Sequence, residues 1–133
     1  MIIGITDGDT VKMLTKDSTL IKIRLANIDC PEKKQPFSNK AKEFTAKQVF
    51  QKQVLLECFK KDRYGRFIGY IFYNDSINLS KELLKEGLTW HYIKYSKDKE
   101  LQALEDNARS QNIGLWQDAR AIPPWEWRKG KRN

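Results

Sequence analysis

The segment LIKIRLANIDCPE alternates apolar and basic residues and then meets a proline. Ile23 and Leu25 fall on one side of this alternation and Arg24 falls on the other, which is the two-residue period of a half-buried β-strand. Because proline cannot donate a hydrogen bond to a neighbouring strand, Pro31 blocks further pairing. We therefore expect the strand to end or bulge near Asn27, with carboxylates placed just beyond its end.

The order of such segments along the chain indicates a fold class. Three strand-like segments come first, a helical segment capped by Ser38 follows, two further strands flank a basic loop, and helices begin near Asn78 and Ser96. Five short strands with a helix between the third and the fourth is the plan of an OB-fold barrel. We predict an α+β fold, a five-stranded OB-fold β-barrel with three helices. It would form one domain over residues 1–133, with a Pro/Trp-rich basic tail over residues 121–133.

The charge of the chain points to the class of its partner. It carries 25 Lys and Arg residues against 17 Asp and Glu residues, a net charge of +8. Such an excess favours a polyanion, nucleic acid first and an anionic membrane second, although solubility alone explains many basic proteins. No apolar run approaches the ~20 residues of a membrane span, and no signal segment opens the chain. We therefore expect nucleic acid rather than a membrane.

Histidine and cysteine counts restrict the chemistry. The chain has one histidine, His91, and two cysteines, Cys30 and Cys58. These counts exclude multi-histidine sites and Cys-rich zinc sites, and the cysteines form no CxxC motif. A disulfide between the two cysteines stays open. Because His91 lies between Trp90 and Tyr92, we expect a packed or surface histidine, and acid–base chemistry then falls to carboxylates.

Carboxylates occur in two short motifs, DGDT with Asp7 and Asp9, and NIDCPE with Asp29 and Glu32. Converging carboxylates without histidine or thiolate partners are typical of a Ca²⁺ or Mg²⁺ site that backbone carbonyls and water complete. Each motif also has a purely structural interpretation. Asp-Gly pairs are common in turns, and Asp29 can cap the turn before a proline while Glu32 faces solvent.

The motif DRYGR places Arg63 and Arg66 on either side of a Tyr-Gly pair. A guanidinium binds two phosphate oxygens at once, which a lysine cannot do. If Arg66 and Arg24 meet the acids at one place, the arginines and a cation would bind a phosphodiester and stabilise its transition state. A carboxylate would orient or deprotonate the attacking water. The cation would offset the repulsion between the acids and the negatively charged phosphate, so that both could occupy one site.

Together, the segments DGDTVKM, IRLANIDCPE and DRYGRFIGYIF, in this order and with a helix between the second and the third, closely resemble the staphylococcal nuclease (thermonuclease) family. The later EGLTWHYIKYS, GLWQD and IPPWEW segments are similar to its bacterial branch. The resemblance implies an OB-fold barrel with three helices. It also implies Ca²⁺-dependent hydrolysis of DNA and RNA that leaves 3′-phosphate ends. An exported (secreted or periplasmic) monomer without an obligate protein partner is expected, with a cytoplasmic location kept open.

The resemblance assigns roles by motif position. Asp9 and Asp29 would be the Ca²⁺-binding carboxylates, with the backbone carbonyl of Cys30 as a third ligand. Glu32 would be the general base or the carboxylate that orients water. The other assigned residues are arginines and tyrosines: Arg24 and Arg66 would bind the phosphate and stabilise the transition state, Arg63 and Tyr64 would hold a neighbouring phosphate, and Tyr92 or Tyr95 would stack a base.

Two other functions fit parts of this pattern. A non-catalytic OB-fold module that binds single strands would share the fold, but degenerate members of the family usually lack the acids or arginines that this chain retains. A phosphodiesterase acting on a small nucleotide would share the site. The net charge of +8 favours a polymer over such a small substrate, because a small substrate does not need so extended a field.

Overall fold

The computed structural model describes residues 1–132, so Asn133, the last residue of the predicted tail, lies outside the described residues. This part of the chain is α+β, as predicted, and none of its helices is long and apolar enough to cross a membrane. Its strands are β1 Ile2–Asp7, β2 Thr10–Leu14, β3 Leu20–Leu25, β4 Ile28–Asp29, β5 Leu55–Lys61, β6 Phe67–Tyr73, β7 Ile77–Asn78 and β8 Trp90–His91. Its helices are α1 Ser38–Val49, α2 Leu79–Lys85, α3 Lys99–Ser110 and α4 Pro124–Trp127, with a 3-10 turn at Gly114–Gln117.

The main sheet is mixed, and its parallel pair places the strand that carries Arg24 beside the strand that follows Arg66. Strands β1, β2, β3, β6 and β5 pair in that order, β7 pairs with β6, and β4 pairs separately with β8. β3 and β6 run parallel, whereas the other pairs of the main sheet are antiparallel. The parallel pairing sets Arg24 opposite Ile68. The end of β3 therefore lies beside the start of β6, which Arg66 immediately precedes.

The prediction of a closed five-stranded barrel is wrong in two respects. The main sheet has six strands, because the short β7 pairs with β6, and its path is open between β1 and β5 within residues 1–132. The segment that follows α1 lies along β1 instead. The Ile2 amide donates to the Lys52 carbonyl over 3.1 Å, and the Gln51 amide donates to the Ile2 carbonyl over 2.7 Å. An isolated bridge between Ile2 and Phe50 thus takes the place of a strand pair.

Of the three helix starts predicted from the sequence, one has the predicted N-cap residue and two differ. Asn78 caps α2 as predicted, because its side-chain oxygen accepts hydrogen bonds from two amides of the first turn. Ser38 does not cap α1. Phe37 holds the N-cap position with a φ of 70° and without a side-chain hydrogen bond. Asp98 caps α3 through its carboxylate, so this helix begins later than the predicted Ser96.

Replacing Asn78 by alanine is expected to lower the free energy of unfolding by about 1 kcal/mol, because two amides of α2 lose their acceptor. Urea unfolding measures the change through the midpoint at constant slope. Ser38→Ala is the matched control, since Ser38 makes no capping hydrogen bond, and it should stay within about 0.5 kcal/mol of the wild type. Equal losses in the two variants would contradict this assignment of the caps.

Two apolar clusters organise the molecule. The main core contains Ile23 and Leu25, which confirms the inward face predicted for β3. A second cluster contains Trp90 and Trp116, with Trp125 packed against it. Because Trp125 belongs to α4, this cluster holds the C-terminal segment beside β8. The predicted tail thus contains a fourth helix, so the prediction of three helices is one short for the described part of the chain.

Candidate active site

An open cavity of about 920 Å³ is lined by the ends of β3 and β4 and by the turn between β5 and β6. We call it the groove. Every residue that was assigned a role from the sequence lines it: Asp9, Arg24, Asp29, Cys30, Glu32, Arg63, Tyr64, Arg66, Tyr92 and Tyr95. Asp7, which the resemblance gave no role although its motif DGDT was a candidate for cation binding, also lines the groove, as do Asp62 and Arg128, for which no role was predicted. The fold therefore brings all the predicted site residues together and adds two acids and an arginine.

Arg24 lies between the two buried acids of the groove. Its Nη1 is 3.4 Å from Asp9 Oδ2, and its Nη2 is 3.2 Å from Asp29 Oδ1. Nη1 also donates hydrogen bonds to the carbonyls of Leu25 and Ile28, over 2.8 and 2.9 Å. Burial opposes the charged form, but the two carboxylates outweigh it and raise the pKa of Arg24. The guanidinium is therefore held charged and in one orientation.

Asp9 joins the two acidic motifs. Its Oδ2 accepts a hydrogen bond from the Cys30 amide over 2.8 Å, and its Oδ1 accepts one from the Thr10 hydroxyl over 3.1 Å. Gly8 permits this approach, because a Cβ at that position would lie 2.8 Å from the Cβ of Ala41 and 3.0 Å from the Sγ of Cys30. The turn between β1 and β2 thus packs tightly on α1 and fixes Asp9 beside the end of β4.

Arg128 reaches the same acids from the far end of the chain. Its Nη2 donates hydrogen bonds to Asp29 Oδ2 over 2.8 Å and to the Tyr92 hydroxyl over 3.1 Å. Its Nη1 donates to Glu32 Oε1 and, over 3.3 Å, to Asp29 Oδ1. Burial raises the pKa of the Asp29 carboxyl, and the hydrogen bonds from Arg128 and the charge of Arg24 oppose that shift. One guanidinium therefore bridges Asp29 and Glu32.

The turn between β5 and β6 orients Arg66. Gly65 has a φ of 82°, a region that glycine adopts without strain. Asp62 Oδ1 accepts hydrogen bonds from the amides of Tyr64 and Arg66 over 2.9 Å, and its Oδ2 accepts one from Arg66 Nε over 2.8 Å. Burial works against the charged carboxylate, but these hydrogen bonds lower the pKa of Asp62. Asp62 therefore holds the Arg66 side chain in place. The sequence pattern that could have predicted this contact is an acid four residues before an arginine, with a glycine turn between them.

The outer rim of the groove is aromatic. Arg63 Nη2 donates to the Tyr64 hydroxyl over 2.9 Å, and the Tyr64 ring is exposed. Tyr92 stacks on Trp125 with ring centroids 5.4 Å apart and planes within 4° of parallel. Tyr95, which is exposed, meets the Tyr92 ring edge-on at 4.8 Å. Both tyrosines of the predicted Tyr92-or-Tyr95 pair thus lie at the rim.

Comparison with known proteins decides the family. The profile of the family described as staphylococcal nuclease homologue matches residues 22–118. The chain belongs to the staphylococcal nuclease family. Its resemblance to that family, stated above from motifs, is confirmed.

Several relatives of this family member are similar over nearly its whole length. It is 40% identical over 131 residues to an uncharacterized endonuclease of Haemophilus influenzae, covering 98% of this chain and 73% of the relative. It is 37% identical over 130 residues to an uncharacterized endonuclease of Escherichia coli O157:H7, and the match covers 98% of this chain and 84% of that relative. It is 34% identical over 142 residues to a micrococcal nuclease of Shigella flexneri, and the match covers 99% of this chain and 81% of that relative. The family and these relatives support the prediction of a phosphodiester hydrolase.

The histidine and one of the two cysteines of this family member are buried. His91 is buried, with Nδ1 2.8 Å from Gln102 Oε1 and Nε2 2.8 Å from Ser96 Oγ. Both cysteines are free thiols, with Cys58 exposed and Cys30 buried. Burial raises the pKa of the Cys30 thiol well above its usual range. His91 and the Cys30 thiol are buried by the fold, and Cys58 does not line the groove, in keeping with a site built on carboxylates.

The two thiols are expected to differ strongly in reactivity, because only the exposed one meets a reagent in solution. With Ellman's reagent, Cys58 should react within minutes in the native protein, and Cys30 should react only after unfolding in denaturant. The variant Cys58→Ser should lose the rapid phase and keep the denaturant-dependent one. Equal rates for both thiols in the native wild type would contradict the burial of Cys30.

The acids of the groove offer only oxygen atoms to a bound ion. Among residues 1–132, no three His, Cys, Asp or Glu side chains are grouped closely enough to hold a metal ion by themselves. Asp9 and Asp29 nevertheless face one groove. Guanidinium nitrogens of Arg24 lie 3.4 Å from Asp9 and 3.2 Å from Asp29, and Arg128 Nη2 lies 2.8 Å from Asp29. The positive charge of Arg24 therefore already lies between Asp9 and Asp29. Carboxylates completed by a backbone carbonyl and water fit a hard cation such as Ca²⁺.

Proposed function

We propose that the chain is a Ca²⁺-dependent, sugar-nonspecific nuclease that hydrolyses phosphodiester bonds of DNA and RNA and leaves 3′-phosphate ends. The observation that carries the proposal is one groove lined by Arg24 and Arg66 together with Asp9, Asp29 and Glu32. Relatives named endonuclease and micrococcal nuclease support nucleic acid as the substrate. The net charge of +8 favours a polymer over a small nucleotide.

Arg24 and Arg66 bind the phosphate that is attacked. Each guanidinium offers parallel N–H donors to phosphate oxygens, and these bonds strengthen as charge builds on the oxygens in the transition state. Two backbone carbonyls hold Arg24, and Asp62 holds Arg66. Both arginines are therefore oriented before the substrate arrives, and little reorganisation is needed during the reaction.

Glu32 orients or deprotonates the attacking water. Its side chain is 36% exposed, whereas that of Asp29 is 3% exposed, so groove water reaches Glu32 far more readily. The water oxygen bonds to phosphorus, the bond from phosphorus to the 5′-oxygen breaks, and that oxygen takes up a proton. The phosphate stays on the 3′ side. The accessible Glu32 thus takes part in proton transfer, whereas the buried Asp9 and Asp29 balance the positive charge of the arginines and the cation.

Asp9, Asp29 and the backbone carbonyl of Cys30 are the proposed Ca²⁺ ligands. The bound ion supplies charge that polarises the phosphate and offsets its repulsion from the acids. Both carboxylates are buried, and a buried carboxylate requires a positive partner. Because this donor set contains only oxygen, it suits Ca²⁺ better than Zn²⁺.

The rim residues extend the contact along a strand. Arg63 and Tyr64 hold a neighbouring phosphate, and Tyr92 or Tyr95 offers ring surface to a base. Tyr64 and Tyr95 are exposed, so unstacked bases of a flexible strand reach them without displacing core residues. Stacking of this kind accepts any base and either sugar, which suits a substrate range that includes both DNA and RNA.

The products of the reaction test the proposed bond cleavage. With Ca²⁺, a 5′-labelled DNA oligonucleotide and its RNA counterpart should both give short fragments. Treatment with a 3′-phosphatase should slow the migration of every fragment, because each loses a terminal phosphate. Fragments that the phosphatase leaves unchanged would contradict cleavage at the 5′-oxygen. Bound but intact oligonucleotides would favour the non-catalytic single-strand-binding module instead.

A further inference from the structure

The C-terminal arginine Arg128 uses the atoms that the proposed cation would need. Both Asp29 oxygens accept hydrogen bonds from it, and Glu32 Oε1 accepts a third. A cation that binds Asp29 through either oxygen would meet the positive charge of this guanidinium at hydrogen-bonding distance. Arg128 and the cation therefore compete for the same carboxylate.

Packing that does not depend on the ion pair brings Arg128 to the groove. It follows α4, where Trp125 stacks on Tyr92 at 5.4 Å and meets Trp90 edge-on at 5.6 Å. The guanidinium carbon of Arg128 also lies 6.0 Å from the centre of the Tyr92 ring. Because these aromatic contacts anchor the helix, the side chain can leave the acids while its backbone stays beside the groove.

The two arginines that touch Asp29 are held very differently. The side chain of Arg24 is 14% exposed and donates to two backbone carbonyls, so it has a fixed place among the acids. The side chain of Arg128 is 40% exposed and is bound through the carboxylates and the Tyr92 hydroxyl. Arg128 is therefore the cation that can be exchanged.

We infer that Arg128 is the internal counter-ion of the acidic site, which bridges Asp29 and Glu32 until Ca²⁺ displaces it toward the solvent-exposed rim. This inference rests on the proposed function for the identity of the cation. It explains how the charge of the buried Asp29 and of the neighbouring Glu32 is balanced without the ion, since Arg24 reaches Asp29 but forms no recorded ion pair with Glu32. It also predicts that the wild type binds Ca²⁺ less tightly than its carboxylates alone would allow.

Calorimetric titration of Ca²⁺ into the full chain without nucleic acid tests the competition. Arg128→Gln should bind Ca²⁺ about tenfold more tightly than the wild type, because charge-assisted hydrogen bonds no longer have to be broken. Arg128→Lys keeps the charge but loses the two-pronged geometry, so its affinity should fall between the two. The matched control Arg132→Gln removes an equal charge from the same segment and should bind Ca²⁺ like the wild type. The Arg132 guanidinium donates to the carbonyls of Trp127 and Lys131, lies over the Trp127 ring and does not line the groove.

Thermal unfolding supplies a second readout. Without added Ca²⁺, Arg128→Gln should unfold at a lower temperature than the wild type, and saturating Ca²⁺ should narrow the difference. Equal or weaker Ca²⁺ affinity in Arg128→Gln, while the wild type binds Ca²⁺ and cleaves DNA, would overturn the inference and leave the proposed function standing. Absence of Ca²⁺ binding and cleavage in all the proteins would overturn both.

Discussion

Replacing Arg66 by lysine is expected to lower kcat/KM on DNA about 10²–10³-fold, the loss typical of removing one transition-state donor. Lysine keeps the positive charge but cannot offer two parallel donors to phosphate oxygens. The fold should survive, because the Arg66–Asp62 pair lies near the surface and such pairs contribute about 1 kcal/mol or less. Steady-state cleavage of a fluorescent oligonucleotide and thermal unfolding measure the two effects.

Arg132→Lys is the matched control for this substitution. It makes the same chemical change, but Arg132 lies outside the residues that line the groove. Its cleavage rate should equal that of the wild type. An Arg66→Lys variant that is folded and keeps more than a tenth of the wild-type kcat/KM would contradict the role of Arg66 at the phosphate.

Replacing Glu32 by glutamine is expected to lower kcat about 10²–10⁴-fold with little change in KM, because an amide can neither deprotonate nor strongly polarise the attacking water. The substitution keeps the size of the side chain and an oxygen that accepts the hydrogen bond from Arg128. The fold should therefore be retained. Single-turnover cleavage with excess enzyme measures the chemical step directly.

Glu43→Gln, an equal change of charge on an exposed position of α1, is the control for Glu32→Gln. It should cleave at the wild-type rate. A folded Glu32→Gln variant with a wild-type single-turnover rate would remove Glu32 from the chemistry, and another acid of the groove would then have to act on the water.

Local features of the structure follow from short sequence patterns. The alternation around Arg24 predicts its face of β3, and the strand ends at Leu25, before Asn27 turns with a φ of 66°. The capping of α2 by Asn78 is also local, because the acceptor and its amides lie within one turn. In each case the interacting groups are neighbours in sequence, so propensity and spacing suffice.

The features that were missed depend on contacts between distant segments. Arg128 binds Asp29 across 99 positions and Glu32 across 96, and no periodicity connects them. Its neighbours on the tail are also basic, so composition favours a solvated end. The open path of the main sheet has the same origin, because the segment after α1 occupies the edge of β1 that a closed barrel would need. Sequence patterns predict elements far better than they predict which edges meet.

The most direct test of the proposed function is a comparison of DNA cleavage in Ca²⁺, in Mg²⁺ and in chelator, with Glu32→Gln purified in parallel to control for contaminating nucleases. Plasmid and single-stranded DNA should be degraded in Ca²⁺ only, cleavage should return when Ca²⁺ is restored after chelation, and in Ca²⁺ the variant should cleave at least about 10²-fold more slowly than the wild type. Intact DNA in Ca²⁺, or equal degradation by wild type and variant, would contradict a Ca²⁺-dependent nuclease built on this groove.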